Sequence, residues 1–439
     1  MCFGNFGLGK SVKYDILNEN VYQFNISCQR RNIMKITPIS EGITQLSVNV
    51  ENILFEGLWD IPKGVSINSY VVKGDKIALV DGVCGWDGVP ESLFALLDQL
   101  KIDLKSIQYL VLNHLEPDHA GWIEDLRKVH DDFEVICTDK GADLFEAFFG
   151  SGVRVRVVKD GDNLDLGAGK MLEFHTIPHV HWPDAMVTFE KSSRVAFTCD
   201  AFGSFGKLER SSFDDDYTDE ELKAYEHETI RYYSNIVGAF SPFVLKAIDK
   251  LTPLHIDIIA PGHGLVWRGR VNKIIEDYRQ YALYQKGQAR GEITLLWGSM
   301  YGMTEMGVRV AIEELEKSGL TYHVHQVPET SWGDILTSVW TSDALILAMP
   351  TYEYKMFPPM AAALDEIGKK KAVGRKIFRF GSYGWSGGAQ KELDEIHDKL
   401  RLNWSFIDPV EFKGKPALED LEKVRSGVQN LIGLVKDSR

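Results

Sequence analysis

Four side chains able to hold a metal stand within six positions of the N-terminal half: His114, Glu116, Asp118 and His119. Two imidazoles and two carboxylates sit at one- and two-residue spacing, with no Lys, Ser or Gly among them. Such a set suits a divalent transition metal better than a solvated charge cluster. The apolar run Tyr109–Leu112 just before it does not alternate and reads as a buried strand. Pro117 fixes its own φ and biases Glu116 away from the helical region, so the ligands are expected on irregular backbone. Trp122, Ile123, Leu126 and Val129 then fall at helical spacing. The cluster therefore caps a strand-to-helix junction, where an α/β fold places its chemistry.

Three later strand ends offer donors of the same kind. The run from Leu172 leads into a loop stiffened by Pro178 and Pro183 that carries His179 and His181, and spacing does not choose between them. Val195–Cys199 ends in Asp200, a carboxylate that is costly to bury unless paired or metal-bound. Ile256–Ala260 ends in Pro261-Gly262-His263-Gly264. The four strand ends supply four histidines and three carboxylates, enough for two ions.

These ends must be held by sheets. Strands are expected at Thr44–Val48, Ser66–Val72 and Ile77–Val80, punctuated by Gly64, Gly74 and Gly82. A helix follows over Pro90–Leu100, with Leu93, Leu96, Leu97 and Leu100 on one face. After the cluster come a strand Phe133–Cys137, a helix Gly141–Phe149 and a strand Val153–Val158. Strands alternating with helices imply sheets covered by helices.

The stretch Tyr281–Glu292, rich in Gln, Lys, Gly and Arg, reads as a linker to a second α/β unit. That unit opens with strand Ile293–Trp297, the loop Ser299-Met300-Tyr301-Gly302-Met303-Thr304 and a helix through Leu315. Hydroxyls and backbone N–H groups at a helix N-terminus can cradle a phosphate. Strand Ala344–Met349 runs into Pro350-Thr351-Tyr352-Glu353-Tyr354. Strand Lys376–Phe380 runs into Gly381-Ser382-Tyr383-Gly384-Trp385-Ser386-Gly387-Gly388-Ala389. Aromatics beside backbone donors suit a flat heteroaromatic ring with polar edges. Three such loops at the carboxyl ends of parallel strands resemble flavodoxin, which implies flavin mononucleotide (FMN): phosphate in the first loop, isoalloxazine between the other two. No GxGxxG stands at the first turn, which disfavours a nicotinamide Rossmann domain.

At 439 residues the chain exceeds one ordinary core. Its 44% hydrophobic and 26% charged residues are those of a globular protein. A net charge of −14 argues against nucleic-acid binding. No apolar run approaches a membrane span. The five cysteines form no CxxC pair, so neither a disulfide framework nor an iron–thiolate module of the rubredoxin type is supported, and a reducing cytoplasm is expected. Residues 1–33 lack the apolar region of a secretory signal, and regular patterning begins at Met34; they are expected to be an extension or a misassigned upstream segment, with weak organelle targeting as the second reading.

The order His114-x-Glu116-x-Asp118-His119, His181, Asp200, His263 resembles the metallo-β-lactamase fold, with Glu116 where lactamases carry a second histidine. That replacement, with His181-Trp182-Pro183-Asp184, resembles flavodiiron proteins. The resemblance implies an N-terminal αββα sandwich of the metallo-β-lactamase type over 34–288, followed by a flavodoxin-like doubly wound parallel sheet over 289–439. It also implies that His114, Glu116 and His181 hold one iron and Asp118, His119 and His263 the other, with Asp200 bridging. Two divalent irons and three carboxylates reach neutrality with one bridging hydroxide, and the extra carboxylate favours iron over zinc. Many flavodiiron proteins place a histidine in an early loop above the metals; here Glu56 occupies that stretch, either as an outer carboxylate of the site or as a solvated loop residue.

The implied activity is reduction of dioxygen to water, of nitric oxide to nitrous oxide, or both, with electrons supplied through FMN. The implied assembly is a head-to-tail homodimer or a dimer of dimers, because flavin and iron of one chain stand too far apart. With no rubredoxin or flavin-reductase segment after Arg439, a separate donor is expected, a rubredoxin or a reduced deazaflavin. Two alternatives remain: a two-zinc hydrolase fused to a flavodoxin, and a flavin electron carrier or redox sensor. Metal analysis and gas consumption separate them.

Overall fold

The computed structural model describes residues 34–83, 91–287 and 289–438; the expected N-terminal extension and Pro90 lie outside them. Two sheets build the N-terminal half. In the first, Met34–Ser40, Ile43–Val50, Val65–Lys73 and Ile77–Val80 pair antiparallel in succession. Ile107–Val111, Glu134–Cys137 and Arg154–Val157 then add in parallel. The second sheet runs Asn163–Gly167, Lys170–Thr176, Met186–Glu190 and Val195–Cys199 antiparallel, with Ile258–Pro261 parallel at its edge. The inner faces of the two sheets meet through Tyr70, Val72, Val111, Phe174 and Phe197, all essentially buried. This is the sandwich expected from the motif order.

The third sheet is wholly parallel. Its order is Tyr322–Gln326, Glu292–Trp297, Ser342–Ala348, Lys376–Tyr383, with Ser405–Phe406 and Val410–Lys413 both pairing the last of these. The strand that opens this half lies inside the sheet, which puts a topological switch point beside its carboxyl end.

Three expectations change. Pro117–Ala120 forms a helical turn with Glu116 as its cap residue, so Asp118 and His119 sit on helical rather than irregular backbone. Proline is tolerated at the first helical position because the N–H it lacks would be unpaired there anyway. The linker is shorter than composition implied: helix Val271–Tyr284 continues through Tyr281, burying Tyr278, Tyr281 and Tyr284. The strand from Lys376 runs on to Tyr383, because Val410–Lys413 supplies a partner for Phe380–Tyr383.

The two halves fall in one compact body. Arg375 is fully buried at their junction and donates to the carbonyls of Gln285 (3.1 Å), Val373 (2.7 Å), Val339 and Trp340 (both 3.3 Å). Trp340 Nε1 donates to Tyr281 O at 2.9 Å. A fully buried guanidinium that donates to four carbonyls makes that junction costly to open.

Candidate metal centre

The loop after Ile107–Val111 leaves its sheet yet stays buried, so its backbone needs other partners. Two carboxylates provide them. Asp81 accepts from Asn113 N (2.8 Å) and Nδ2 (2.9 Å), and Asp184 Oδ2 accepts from Leu115 N (2.8 Å). Trp122 Nε1 donates to His119 O at 2.8 Å, closing the following turn. Gly262 lies so close to His119 that a Cβ there would stand 2.8 Å from its Cε1.

The seven candidate ligands converge in two groups that share a boundary. In one, His114, Glu116, His181 and Asp200 each place a donor atom within 4.8 Å of the others; in the other, Asp118, His119 and His263 do the same. Glu116 Oε2 lies 3.2 Å from His114 Nε2 and 3.1 Å from His181 Nε2. Asp118 Oδ2 lies 3.4 Å from His119 Nε2 and 3.2 Å from His263 Nε2. Asp200 faces both groups. Its Oδ2 is 3.4 Å from His114 Nε2 and 3.1 Å from His181 Nε2, while its Oδ1 is 3.2 Å from His119 Nε2 and 3.4 Å from His263 Nε2. One carboxylate with an oxygen toward each group has the form of a bridge between two ions.

The donor set fits divalent cations. Asp118 Oδ1 is buried without a partner and Oδ2 has only the imidazoles of His119 and His263 beside it, an expensive state for a carboxylate unless a cation meets it. All four histidines turn Nε2 inward, and two are fixed by partners on the other nitrogen: His114 Nδ1 to Asp184 (3.3 Å) and His263 Nδ1 to Ser66 O (3.0 Å). Such outer contacts set the tautomer that leaves Nε2 free to ligate. The electrostatics agree. Burial works against charged imidazole, yet the carboxylates outweigh it and push His181 up to about 9 and His263 up to about 10, with His114 and His119 raised as well. Burial likewise works against Asp200, and its histidine neighbours hold it well below the carboxylate range. A field that favours protons on four imidazoles is one that favours metal ions in their place.

Spacing left His179 and His181 open; the structure brings His181 into the cluster and turns His179 to the rings of Phe243 (4.7 Å) and Phe240 (6.4 Å). Glu56 lies outside the ligand groups, on the turn of the hairpin Leu54–Phe55/Trp59–Asp60, where Trp59 Nε1 donates to its Oε2 at 2.9 Å. Sequence reasoning assigned no role to Asp81, Asp184 or Tyr232. Tyr232 is buried with its ring 5.7 Å from that of His263. For Asp184 the signal was present in His181-Trp182-Pro183-Asp184; for the other two nothing local distinguishes them.

In the C-terminal half the three loops expected to bind flavin meet at the carboxyl edge of the parallel sheet. Ser299 Oγ accepts from Gly302 N (3.0 Å), and Gly302, at φ +80°, caps helix Met303–Ser318. Buried Thr304 reaches the third loop, Oγ1 to Ser382 Oγ at 2.9 Å. Thr351 Oγ1 accepts from Ala389 N at 3.2 Å, joining the second loop to the third beside Pro350. Tyr301, Tyr354 and Trp385 are exposed by 86%, 62% and 70%, with Tyr352 and Met300 also exposed, and Tyr354 and Trp385 stand edge-to-face at 6.1 Å. Tyr383 is half-buried, Gly384 is exposed and Gly387 half-buried. At Gly388 a Cβ would come within 2.1 Å of Tyr354 O, so the loops approach backbone to backbone. Uncovered aromatic faces next to a helix N-terminus fit a flavin phosphate with its planar ring.

Residues 65–264 match the family described as ODP family beta lactamase. The anaerobic nitric oxide reductase flavorubredoxin of Vibrio vulnificus is 34% identical over 348 residues, covering 78% of this chain and 68% of that protein. The nitric oxide reductase of Moorella thermoacetica is 31% identical, covering 82% and 88%. Among solved structures, the rubredoxin oxygen:oxidoreductase of Desulfovibrio gigas superposes with a TM-score of 0.85 at 28% identity, covering 92% of this chain and 99% of that one. A flavo-diiron protein variant from Thermotoga maritima superposes at 0.82 with 29% identity, covering 92% and 100%. With the ligand order, the paired sheets and the flavodoxin-type half in one body, the chain belongs to the flavodiiron protein family.

Proposed function

We propose that the protein reduces nitric oxide to nitrous oxide, dioxygen to water, or both, at two irons, with electrons passed through FMN. The observation that carries this reading is Asp200, one oxygen toward each half of a seven-residue buried cluster, in the same chain as a flavodoxin-type loop set. His114, Glu116 and His181 would hold one iron, Asp118, His119 and His263 the other, and Asp200 would bridge. Ser299, Met300, Tyr301, Gly302, Met303 and Thr304 would hold the flavin phosphate; Pro350, Thr351, Tyr352, Tyr354, Ser382, Tyr383, Gly384, Trp385, Gly387 and Gly388 would line its ring. When bound, iron supplies open coordination positions and one electron per ion, and flavin two electrons more, which meets the four-electron need of dioxygen without release of peroxide.

The residues' own tasks follow from geometry. With metal in place of the proton, the four imidazoles would present Nε2 inward as neutral ligands, while Asp184 and Ser66 O hold the Nδ1 protons of His114 and His263 on the far nitrogen. The aromatic wall of Phe55, Phe205 and Tyr232 beside His263 excludes water from that side. Relatives are named for both gases, nitric oxide in the curated proteins and oxygen in the Desulfovibrio gigas structure, and a rubredoxin-type protein is the electron donor these names suggest. We further infer a head-to-tail homodimer, a domain boundary near 288–289 and a cytoplasmic location; no described helix is long and apolar enough to cross a membrane.

Metal and flavin analysis of purified protein, followed by anaerobic stopped-flow of the reduced protein with each gas, tests the reading. Two irons and one FMN per chain with rapid consumption of either gas supports it. Two zinc ions, or both cofactors without gas consumption, would discard it.

A further inference from the structure

The hairpin Leu54–Phe55/Trp59–Asp60 lies against the ligand cluster: the Phe55 ring meets that of His263 edge-on at 5.6 Å. Glu56 and Gly57 both take positive φ (50° and 70°), which folds the turn so that Trp59 Nε1 donates to Glu56 Oε2. Glu56 is in electrostatic reach of the ligands. Burial and then Glu116 raise its carboxyl above the usual range, while His181, Trp59 and Lys370 oppose them. Even so, its oxygens stand outside the group formed by His114, Glu116, His181 and Asp200.

The C-terminal half holds this hairpin at two points. Lys370, just after helix Pro358–Lys369, sets its ammonium 4.9 Å from the centre of the Trp59 ring, and its charge acts on Glu56. Arg231 binds Asp60 through O (2.9 Å) and Oδ1 (3.0 Å) and also pairs with Asp334 on helix Trp332–Thr341. The next residue, Tyr232, packs on His263.

A carboxylate beside two divalent ions is drawn to ligate them. Here Glu116, Asp118 and Asp200 with one hydroxide already balance two ions, so a fourth carboxylate would leave buried excess charge and fill an open position. We propose that Lys370 and Trp59 tether the Glu56 carboxylate beside the metal centre and out of its ligand set, so that the flavodoxin-like half of the same chain keeps open the position where the gas binds. Lys370 and Trp59 are positioning residues in this scheme. It rests on the gas-reductase reading and adds to it a reason for a carboxylate at this loop.

The test uses iron- and FMN-loaded wild type, Lys370→Met, Lys370→Arg, Trp59→Phe, Glu56→Ala and the double variant Lys370→Met/Glu56→Ala. Methionine in K370M keeps an apolar stem over Trp59 without the charge, and phenylalanine in W59F keeps an aromatic ring without the N–H donor. Each protein is assayed for iron and flavin content, visible absorption of the oxidised iron, nitric oxide titration of the reduced protein, and KM against kcat. K370M and W59F are expected to keep both cofactors, shift the iron absorption, weaken nitric oxide binding about five- to twentyfold and raise KM with kcat changed less than about twofold. K370R and E56A should bind nitric oxide as wild type does, and the double variant should behave as E56A, since no carboxylate is left to intrude. The idea is overturned by wild-type spectrum and affinity in both K370M and W59F, by loss of iron from them, or by a double variant that keeps the K370M defect. Failure of the reductase reading shows separately, as a loaded wild type that neither binds nor consumes gas.

Discussion

Asp184→Asn removes one charge and no volume from a residue that is 1% exposed. Asp184 faces His114 Nδ1 with both oxygens at 3.3 Å and accepts from Leu115 N at 2.8 Å. An asparagine has one acceptor and one donor where the carboxylate has two acceptors. If its oxygen keeps Leu115 N, its NH₂ faces His114 Nδ1 and drives the imidazole proton to Nε2, the atom needed for the metal. If it turns over, Leu115 N is left buried without a partner. Either way a charge-assisted hydrogen bond is lost, about 1.5–3 kcal/mol, or roughly 10- to 150-fold in an equilibrium constant. The loss should fall on the ion held by His114, Glu116 and His181 and spare the one held by Asp118, His119 and His263. Anaerobic ferrous titration against a competing chelator reads it: wild type binds two tight irons, Asp184→Asn one tight and one weakened at least about tenfold, with FMN unchanged. Two irons of undiminished affinity would refute this account of how His114 is oriented.

Asp200→Asn should weaken both irons together, because each oxygen faces a different group; elemental analysis should find less than one iron per chain with flavin retained. Gly388→Ala should do the reverse, since its Cβ would stand 2.1 Å from Tyr354 O; flavin affinity falls at least about tenfold by fluorescence titration while iron stays. Arg375→Ala removes four donations to carbonyls at the junction of the halves together with a fully buried side chain and should cost about 3 kcal/mol or more, read as a Tm drop of several degrees against a surface control such as Arg309→Ala. Burial, and then His323, lower His325 to about 4. The unfolded chain therefore binds a proton that the native one refuses between about pH 6.5 and 4, so stability falls on acidification through that window. His325→Gln should flatten that part of a denaturant midpoint profile against pH, and an unchanged slope would remove His325 as its source.

Legibility in the sequence differs element by element. Ile77–Val80 and the run Tyr109–Leu112, most of which falls in strand Ile107–Val111, are legible because buried strands carry continuous apolar runs bounded by polar turn residues. The helical turn at Pro117–Ala120 is not: proline biases the residue before it away from the helix yet itself suits a first helical position, and the two tendencies point to different backbones. Tyr281–Glu292 looks like a linker by composition, yet its first turn packs tyrosines into the core, an effect of neighbours far along the chain.

The sequence by itself determined the donors: four histidines and three carboxylates at strand ends in a fixed order, with Glu116 in place of an imidazole, and three hydroxyl- and aromatic-bearing loops after parallel strands. Identity and local spacing suffice there because ligand chemistry resides in side-chain type. Only the tertiary structure decided which donors meet. It chose His181 over His179, turned one oxygen of Asp200 toward each group, brought Asp81 and Asp184 beneath the ligand loop and laid Lys370 over Trp59. Those contacts join residues tens to hundreds of positions apart, and their geometry follows from how two sheets pack and how Arg375 and Arg231 fasten one half of the chain to the other.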